Sequence, residues 1–320
     1  MKPKVVIKTR AGKTSAYDFL CAGLAPSLSI LVTSPIDVVK ARMQTAGEGL
    51  KDRSVSTRSV MVDLIRKEGL SGCYRGIGAS VLREASLNVM RLGLFDPIMS
   101  LMHNGYRDMA STSETGLPPL YKRLICGSLC GVIGSVAANP MELIKCRIQC
   151  SGEGATASHM YDYKGPLDAF QKILAEEGVR GLWQGAGVFA LRNAAGSAAN
   201  LSTFCALKAQ ALNHHDDSIQ VDVACGLGSG FVTTCVMCPL DLIKTRLQNQ
   251  PVDRLGRGTI YAGVGDAVSK ITRTEGALAF YKGFNSLFVR TGPHYVLTFA
   301  IYGILKRFYR SEESPRPAQY

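Results

Sequence analysis

Hydrophobic residues gather along the chain in six long stretches, near 17–44, 77–104, 121–149, 187–211, 221–248 and 284–309, with polar segments between them. Each is longer than the roughly 20 mostly apolar residues that a membrane-crossing helix needs. None is uniformly apolar, because glycines, serines and isolated charges recur inside them. That mixture suits a helix with one face to lipid and the other to a wet cavity, since an intramembrane charge is costly and marks a task. After the first, third and fifth stretches the pattern predicts a short amphipathic helix, over about 55–68, 165–177 and 264–275, each stopped by a Glu-Gly pair. The expected fold is an all-α membrane protein of six long helices and three short ones.

The order of elements repeats three times, and so do the residues. Pro35, Asp37, Lys40, Arg42 and Gln44 return with the same spacing as Pro140, Glu142, Lys145, Arg147 and Gln149, and again as Pro239, Asp241, Lys244, Arg246 and Gln248. Glu68, Gly69, Tyr74, Arg75 and Gly76 return as Glu177, Gly178, Trp183, Gln184 and Gly185, then as Glu275, Gly276, Tyr281, Lys282 and Gly283. A fixed long period of this kind decides the architecture before any local reading does. It divides the chain into a polar segment 1–14, repeats over 15–110, 118–213 and 219–310, and a tail 311–320 expected to be disordered. Gly127 and Gly131 before Pro140, and Gly226 and Gly230 before Pro239, suggest close helix approach. Ala22 and Pro26 hold those phases in the first repeat.

Charge changes the picture little. The chain carries a net +12, which raises nucleic-acid binding. Many of the basic residues, such as Lys51, Arg53, Arg58, Arg66, Lys67, Lys172, Arg180, Lys270 and Arg273, fall between the apolar stretches or at their ends. No nucleic-acid module is recognisable, and no nucleic-acid partner is expected. The ten cysteines show no zinc spacing; Cys235 and Cys238 form a lone C-x-x-C inside an apolar stretch. Free buried thiols in a reducing compartment, and no metal, are the expectation. The N-terminus lacks the apolar core of a secretory signal.

The pattern P-x-[DE]-x-x-[KR]-x-[KR]-x-Q, followed by [DE]-G-x-x-x-x-aromatic-[KR]-G, resembles the mitochondrial carrier family over nearly the whole chain. The resemblance implies six tilted helices in three pseudo-symmetric two-helix repeats, short helices on the matrix side, and a multi-pass place in the mitochondrial inner membrane. Asp37 with Lys40, Glu142 with Lys145 and Asp241 with Lys244 are each three apart on one helical face, after a proline that kinks the helix. Three such helices around one axis form a ring of alternating charge that closes the matrix side. The resemblance implies pairs of Lys40 with Glu142, Lys145 with Asp241 and Lys244 with Asp37, braced by Gln44, Gln149 and Gln248. Ion pairs worth about 0–1 kcal/mol in a wet cavity suit a gate that must open. The opposite, cytoplasmic gate is thinner: after Phe95, Phe204 and Tyr302 it retains only Asp96, Lys208 and Lys306.

Arg83, Arg192 and Arg290 share one phase, seven residues after Gly76, Gly185 and Gly283 and twelve before Phe95, Phe204 and Tyr302. Twelve residues of helix span about 18 Å, so all three belong at one depth near the membrane middle. Converging guanidiniums repel unless an anion neutralises them, and arginine binds carboxylate, sulfate or phosphate in a bidentate manner. A single arginine could instead snorkel to an interface. Arg91 adds a fourth charge, Glu84 offsets one, and Asn193 follows Arg192. These surroundings are similar to the oxoglutarate, dicarboxylate, oxaloacetate and uncoupling-protein branch of the family, although Glu84 stands where a Gln is usual.

The expected function is therefore exchange of small dicarboxylate or oxo-dicarboxylate anions by alternating access, on a monomer. Two alternatives stand beside it, an uncoupling-type anion or proton pathway and a non-transporting membrane scaffold. The family binds cardiolipin at helix N-termini, where backbone N–H groups favour phosphate; Gly76, Gly185, Gly283, Gly165 and Gly263 are the candidates. No other cofactor is expected. Neither a P-loop nor a zinc-hydrolase or serine-hydrolase motif is present, so enzymatic chemistry is not expected.

Overall fold

A computed structural model describes residues 16–46, 56–102, 120–151, 161–212, 219–253 and 257–291, with Leu297, Ile301, Ile304 and Leu305. Residues 1–14, the tail 311–320 and Lys306 lie outside the described residues. The elements fall in three sets: α1 (Ala16–Thr45), α2 (Thr57–Gly72) and α3 (Ile77–Met102); α4 (Leu120–Cys150), α5 (Pro166–Glu176) and α6 (Ala186–Leu212); α7 (Ile219–Asn249), α8 (Val264–Thr274) and a helix over 284–291, α9. The described residues are all-α, and a long helix, a short helix and a second long helix follow in each of the first two sets; in the third, the described part of the last helix is 284–291. Helix α3 packs on α1 and α4, and α6 on α4 and α7. The last repeat closes on its own α7 through Phe231, edge-on to Phe284 and Phe288.

Gly23–Thr45, Ile125–Cys150 and Ala224–Asn249, within α1, α4 and α7, are long and apolar enough to cross a membrane by length and composition. Helix α3 is as long but carries Arg83, Glu84, Arg91 and Asp96. Of these, Arg83 and Glu84 are buried, Asp96 is half-buried and Arg91 is exposed. Lipid-facing apolar residues such as Leu24, Leu31, Ile133 and Phe231 remain exposed, as they do on any membrane-spanning surface.

Glycines set the corners. The predicted stops at Gly69, Gly178 and Gly276 have φ of 68°, 74° and 85°, the left-handed conformation that only glycine adopts cheaply. In α2 the chain turns there and resumes for one more turn to Gly72. Gly76, Gly185 and Gly283 also have positive φ, and their carbonyls accept from the N–H groups of Ser80, Phe189 and Leu287. Each is thus the N-cap of the next long helix. A Cβ on Gly185 would stand 2.9 Å from Gln248 Cγ. Gly185→Ala is expected to cost about 1–2 kcal/mol from left-handed strain alone, read as a lower melting temperature in detergent, whereas Gly187→Ala, in open helix, should not.

An added Cβ at Gly127, Gly131, Gly226 or Gly230 meets no described atom within 4 Å. Close approach falls instead at Gly196 against Met237 and Gly228 against Leu207. Spacing by four marks one helix face but does not say which neighbour that face meets.

Candidate functional site: a ring of charges at the axis

The prolines of the motif lie inside α1, α4 and α7, and the charges that follow them line one narrow polar cavity. Asp37, Lys40, Glu142, Lys145, Asp241 and Lys244 all face it, and so do Arg83, Arg192 and Arg290. The structure thus brings together the six ring residues and the three arginines of shared phase. All nine are largely withdrawn from solvent.

The pairing runs the opposite way round from the one implied by resemblance. Lys40 Nζ is 2.6 Å from Asp241, Lys145 Nζ is 3.2 Å from Asp37, and Lys244 meets Glu142. Each lysine therefore reaches the acid of the preceding repeat. Three residues of helix are about 300° of rotation, so acid and lysine diverge by about 60° and must face different neighbours. The spacing does not say which. The direction is testable by stability measurements on single and double variants. Lys145→Ala and Asp37→Ala should couple by about 1 kcal/mol or more, whereas Lys145→Ala and Asp241→Ala should add within about 0.5 kcal/mol.

Each acid is also held by an arginine. Arg83 Nε lies 2.6 Å from Glu142 Oε2, Arg192 Nε 2.6 Å from Asp241 Oδ1, and Arg290 Nε against Asp37 Oδ1. Arg192 adds a second contact, from Nη2 to Asp241 Oδ2 at 3.4 Å. Every carboxylate thus bridges a lysine of the following repeat and an arginine of the preceding one. The three ring acids thus provide counter-charge to the arginines. The Arg83–Glu142 and Arg290–Asp37 contacts are ion pairs without hydrogen-bond alignment.

The remaining candidates separate. Arg192 Nη1 donates to Asn193 Oδ1 at 2.9 Å, and Asn193 Nδ2 donates to Ser135 at 2.6 Å, so Asn193 positions the arginine. Glu84 is buried against Arg83. Arg91 is outside the cavity, exposed, 3.5 Å from Ser197 Oγ; eight residues of helix carry it about 12 Å along the axis from Arg83. The glutamines do not brace the ring. Gln44 Oε1 accepts from Thr245 and Gln248 Nε2 donates to Asn139, while Gln44 Nε2 and Gln149 Nε2 have no hydrogen-bond partner among the described residues. One turn past the lysine, their amides reach the next layer down. Asp96 and Lys208 are half-buried, and Lys306, their expected partner, lies outside the described residues.

That next layer contains a second ring, built from the second basic residue of each repeated motif. Arg42, Arg147 and Arg246 are each almost fully buried, paired with Glu68, Glu177 and Glu275 at 2.7, 2.6 and 2.5 Å. Each arginine also donates to a carbonyl at the C-terminal end of the next long helix of the ring: Arg42 to Gln149 and Ser151, Arg147 to Gln248, Arg246 to Gln44. Unpaired carbonyls and the negative helix end both attract a cation there. Arg75 and Lys282 reinforce Glu68 and Glu275, a role that Gln184 lacks the charge to play. Burial would raise the Glu275 carboxyl, but the hydrogen bonds of Arg246 and Lys282 outweigh it and hold it below the usual carboxylate range. Its share of stability is therefore present at neutral pH and lost as pH falls through that depressed value. Phe189, wholly buried, covers the ring, with Lys244 Nζ 4.8 Å from its centroid; its place three residues before Arg192 was the available signal.

The family profile described as mitochondrial carrier protein matches residues 12–106, 117–215 and 215–313. The chain belongs to the mitochondrial carrier family. It is a multi-pass transporter of the mitochondrial inner membrane, and the family's members are transporters rather than enzymes. Relatives include the mitochondrial substrate carrier family protein ucpB of Dictyostelium discoideum, 33% identical across 90% of this carrier and 94% of its own length. The putative mitochondrial transporter UCP3 of Sus scrofa is 33% identical across 92% of each chain. The mitochondrial citrate transporter E of Aspergillus niger is 32% identical across 90% of this carrier and 92% of its own.

The carrier's five candidate lipid glycines all start helices. Gly165 and Gly263, in extended conformation, cap α5 and α8, where Asp168 and Asp266 reach back to the N–H groups of Lys164 and Ala262. The aromatic residues before Gly76, Gly185 and Gly283 are partly exposed, the position of an interfacial belt.

Proposed function

We propose that this carrier exchanges small dicarboxylate or oxo-dicarboxylate anions, such as malate and oxoglutarate, across the inner membrane by alternating access. The observation that carries the reading is that three arginines of common phase converge on one cavity, each paired there with a carboxylate that it shares with a lysine. An entering dicarboxylate offers the arginines the same chemistry as Asp37, Glu142 and Asp241. When its two carboxylates take two of the arginines, the acids that held them keep only their lysines, and the ring is left with ion pairs weak enough to part. Binding and gate opening then share one set of charges. Cardiolipin on the helix-capping glycines, a monomeric working unit and a cytoplasmic gate of Asp96, Lys208 and Lys306 complete the proposal.

The test is uptake of labelled malate into liposomes containing the purified carrier. Uptake is expected with internal malate or oxoglutarate and absent with buffer alone. Uptake into buffer-loaded vesicles would favour the uncoupling-type pathway, which the likeness to UCP3 keeps in view. Failure to move any anion would favour the scaffold.

A further inference from the structure

The three arginines are not equivalent, and the difference lies in the residue after each. Arg192 is followed by Asn193 and Arg290 by Thr291, whose hydroxyl donates to the carbonyl of Leu287. Arg83 is followed by Glu84, and the two side chains are paired. Arg83 consequently lies between two carboxylates, Glu84 on its own helix and Glu142 on α4, whereas among the described residues Arg192 and Arg290 each pair with one. Glu84 is itself buried and held in place by Asn88, whose amide donates to its Oε2 at 3.1 Å and to its backbone carbonyl at 2.9 Å.

A buried carboxylate in the middle of a membrane is expensive, and this one forms no part of the gate ring. Its effect is on the charge of the site. Six cations and three carboxylates face the cavity, an excess of three positive charges. Glu84 reduces that excess to two. It also occupies one side of the Arg83 guanidinium, so Arg192 and Arg290 remain the arginines with a single acidic partner. We propose that Glu84 is a specificity-determining residue that matches the site to an anion of two negative charges and selects against one of three. The inference rests on the dicarboxylate reading above and deepens it. A dianion neutralises the layer; a trianion leaves one charge uncompensated in a poorly solvated place, where Coulomb energies at an effective dielectric near 20 correspond to about tenfold or more in binding.

The experiment compares labelled malate and labelled citrate uptake by reconstituted carrier at a pH where citrate carries three charges, in vesicles preloaded with the same anion. Wild type is expected to favour malate. Glu84→Gln keeps the shape and the link to Asn88 and should raise the citrate-to-malate ratio about tenfold or more. Combining Glu84→Gln with Thr291→Asp returns the negative charge beside a different arginine and should restore the wild-type ratio. An unchanged ratio in Glu84→Gln, or a raised ratio that Thr291→Asp does not restore, would overturn the proposal. If Glu84→Gln moves neither anion, the double variant decides: wild-type selectivity supports charge matching, and continued inactivity refutes it. A wild type that moves no dicarboxylate contradicts the functional reading itself, which keeps the two failures apart.

Discussion

Arg192→Ala is expected to lower malate exchange by about a hundredfold or more, close to the limit of detection. The guanidinium makes two contacts with Asp241 and, in the proposed cycle, passes them to a substrate carboxylate. Hydrogen bonds between charged groups contribute about 1.5–3 kcal/mol each, and two of them correspond to the stated loss. Arg192→Lys keeps the charge but not the planar fork and should fall between. Arg91→Ala is the control: its side chain is exposed and outside the cavity, so exchange should remain within about threefold of wild type, since surface substitutions away from a site are usually near neutral. Equal losses in Arg192→Ala and Arg91→Ala would remove the distinction between cavity and surface arginines.

The largest effect on stability is expected one layer below. Arg147→Met should cost about 3–5 kcal/mol, because it leaves the buried Glu177 without its guanidinium and the carbonyls of Gln248 and Gln250 without a donor; removing one partner of a buried pair is severe. The measurement is apparent melting temperature in detergent. Lys172→Ala breaks an exposed pair with Asp168 and should shift stability by no more than about 1 kcal/mol. A small change in Arg147→Met would mean that the second ring does not hold the three repeats together.

Much of this arrangement can be read in the sequence because it is periodic. A threefold repeat fixes six long helices and three short ones, and a common phase is enough to place Arg83, Arg192 and Arg290 at one level. Phase gives a face and a depth along a helix. It does not give the neighbour across the axis, so the direction of the Lys–acid pairs and the partners of Gln44, Gln149 and Gln248 required the assembled ring. The same limit applies to Gly127 and Gly226, whose spacing is suggestive although their faces meet no described side chain. The Arg42, Arg147 and Arg246 layer is a different case. Its residues stood in the repeated motif, but their partners at Glu68, Glu177 and Glu275 are about 30 residues away, and only the docking of the short helices beneath the long ones joins them.

The central claim is that the arginine ring holds a dicarboxylate, and thermal stabilisation by ligand tests it most directly. A ligand that binds only the folded carrier at a hundred times its Kd contributes about 2.7 kcal/mol. Malate and oxoglutarate should therefore raise the melting temperature of the purified wild type, lactate should not, and Arg192→Ala and Arg290→Ala should lose the rise. A wild type unmoved by any dicarboxylate, or arginine variants stabilised as much as wild type, would contradict it.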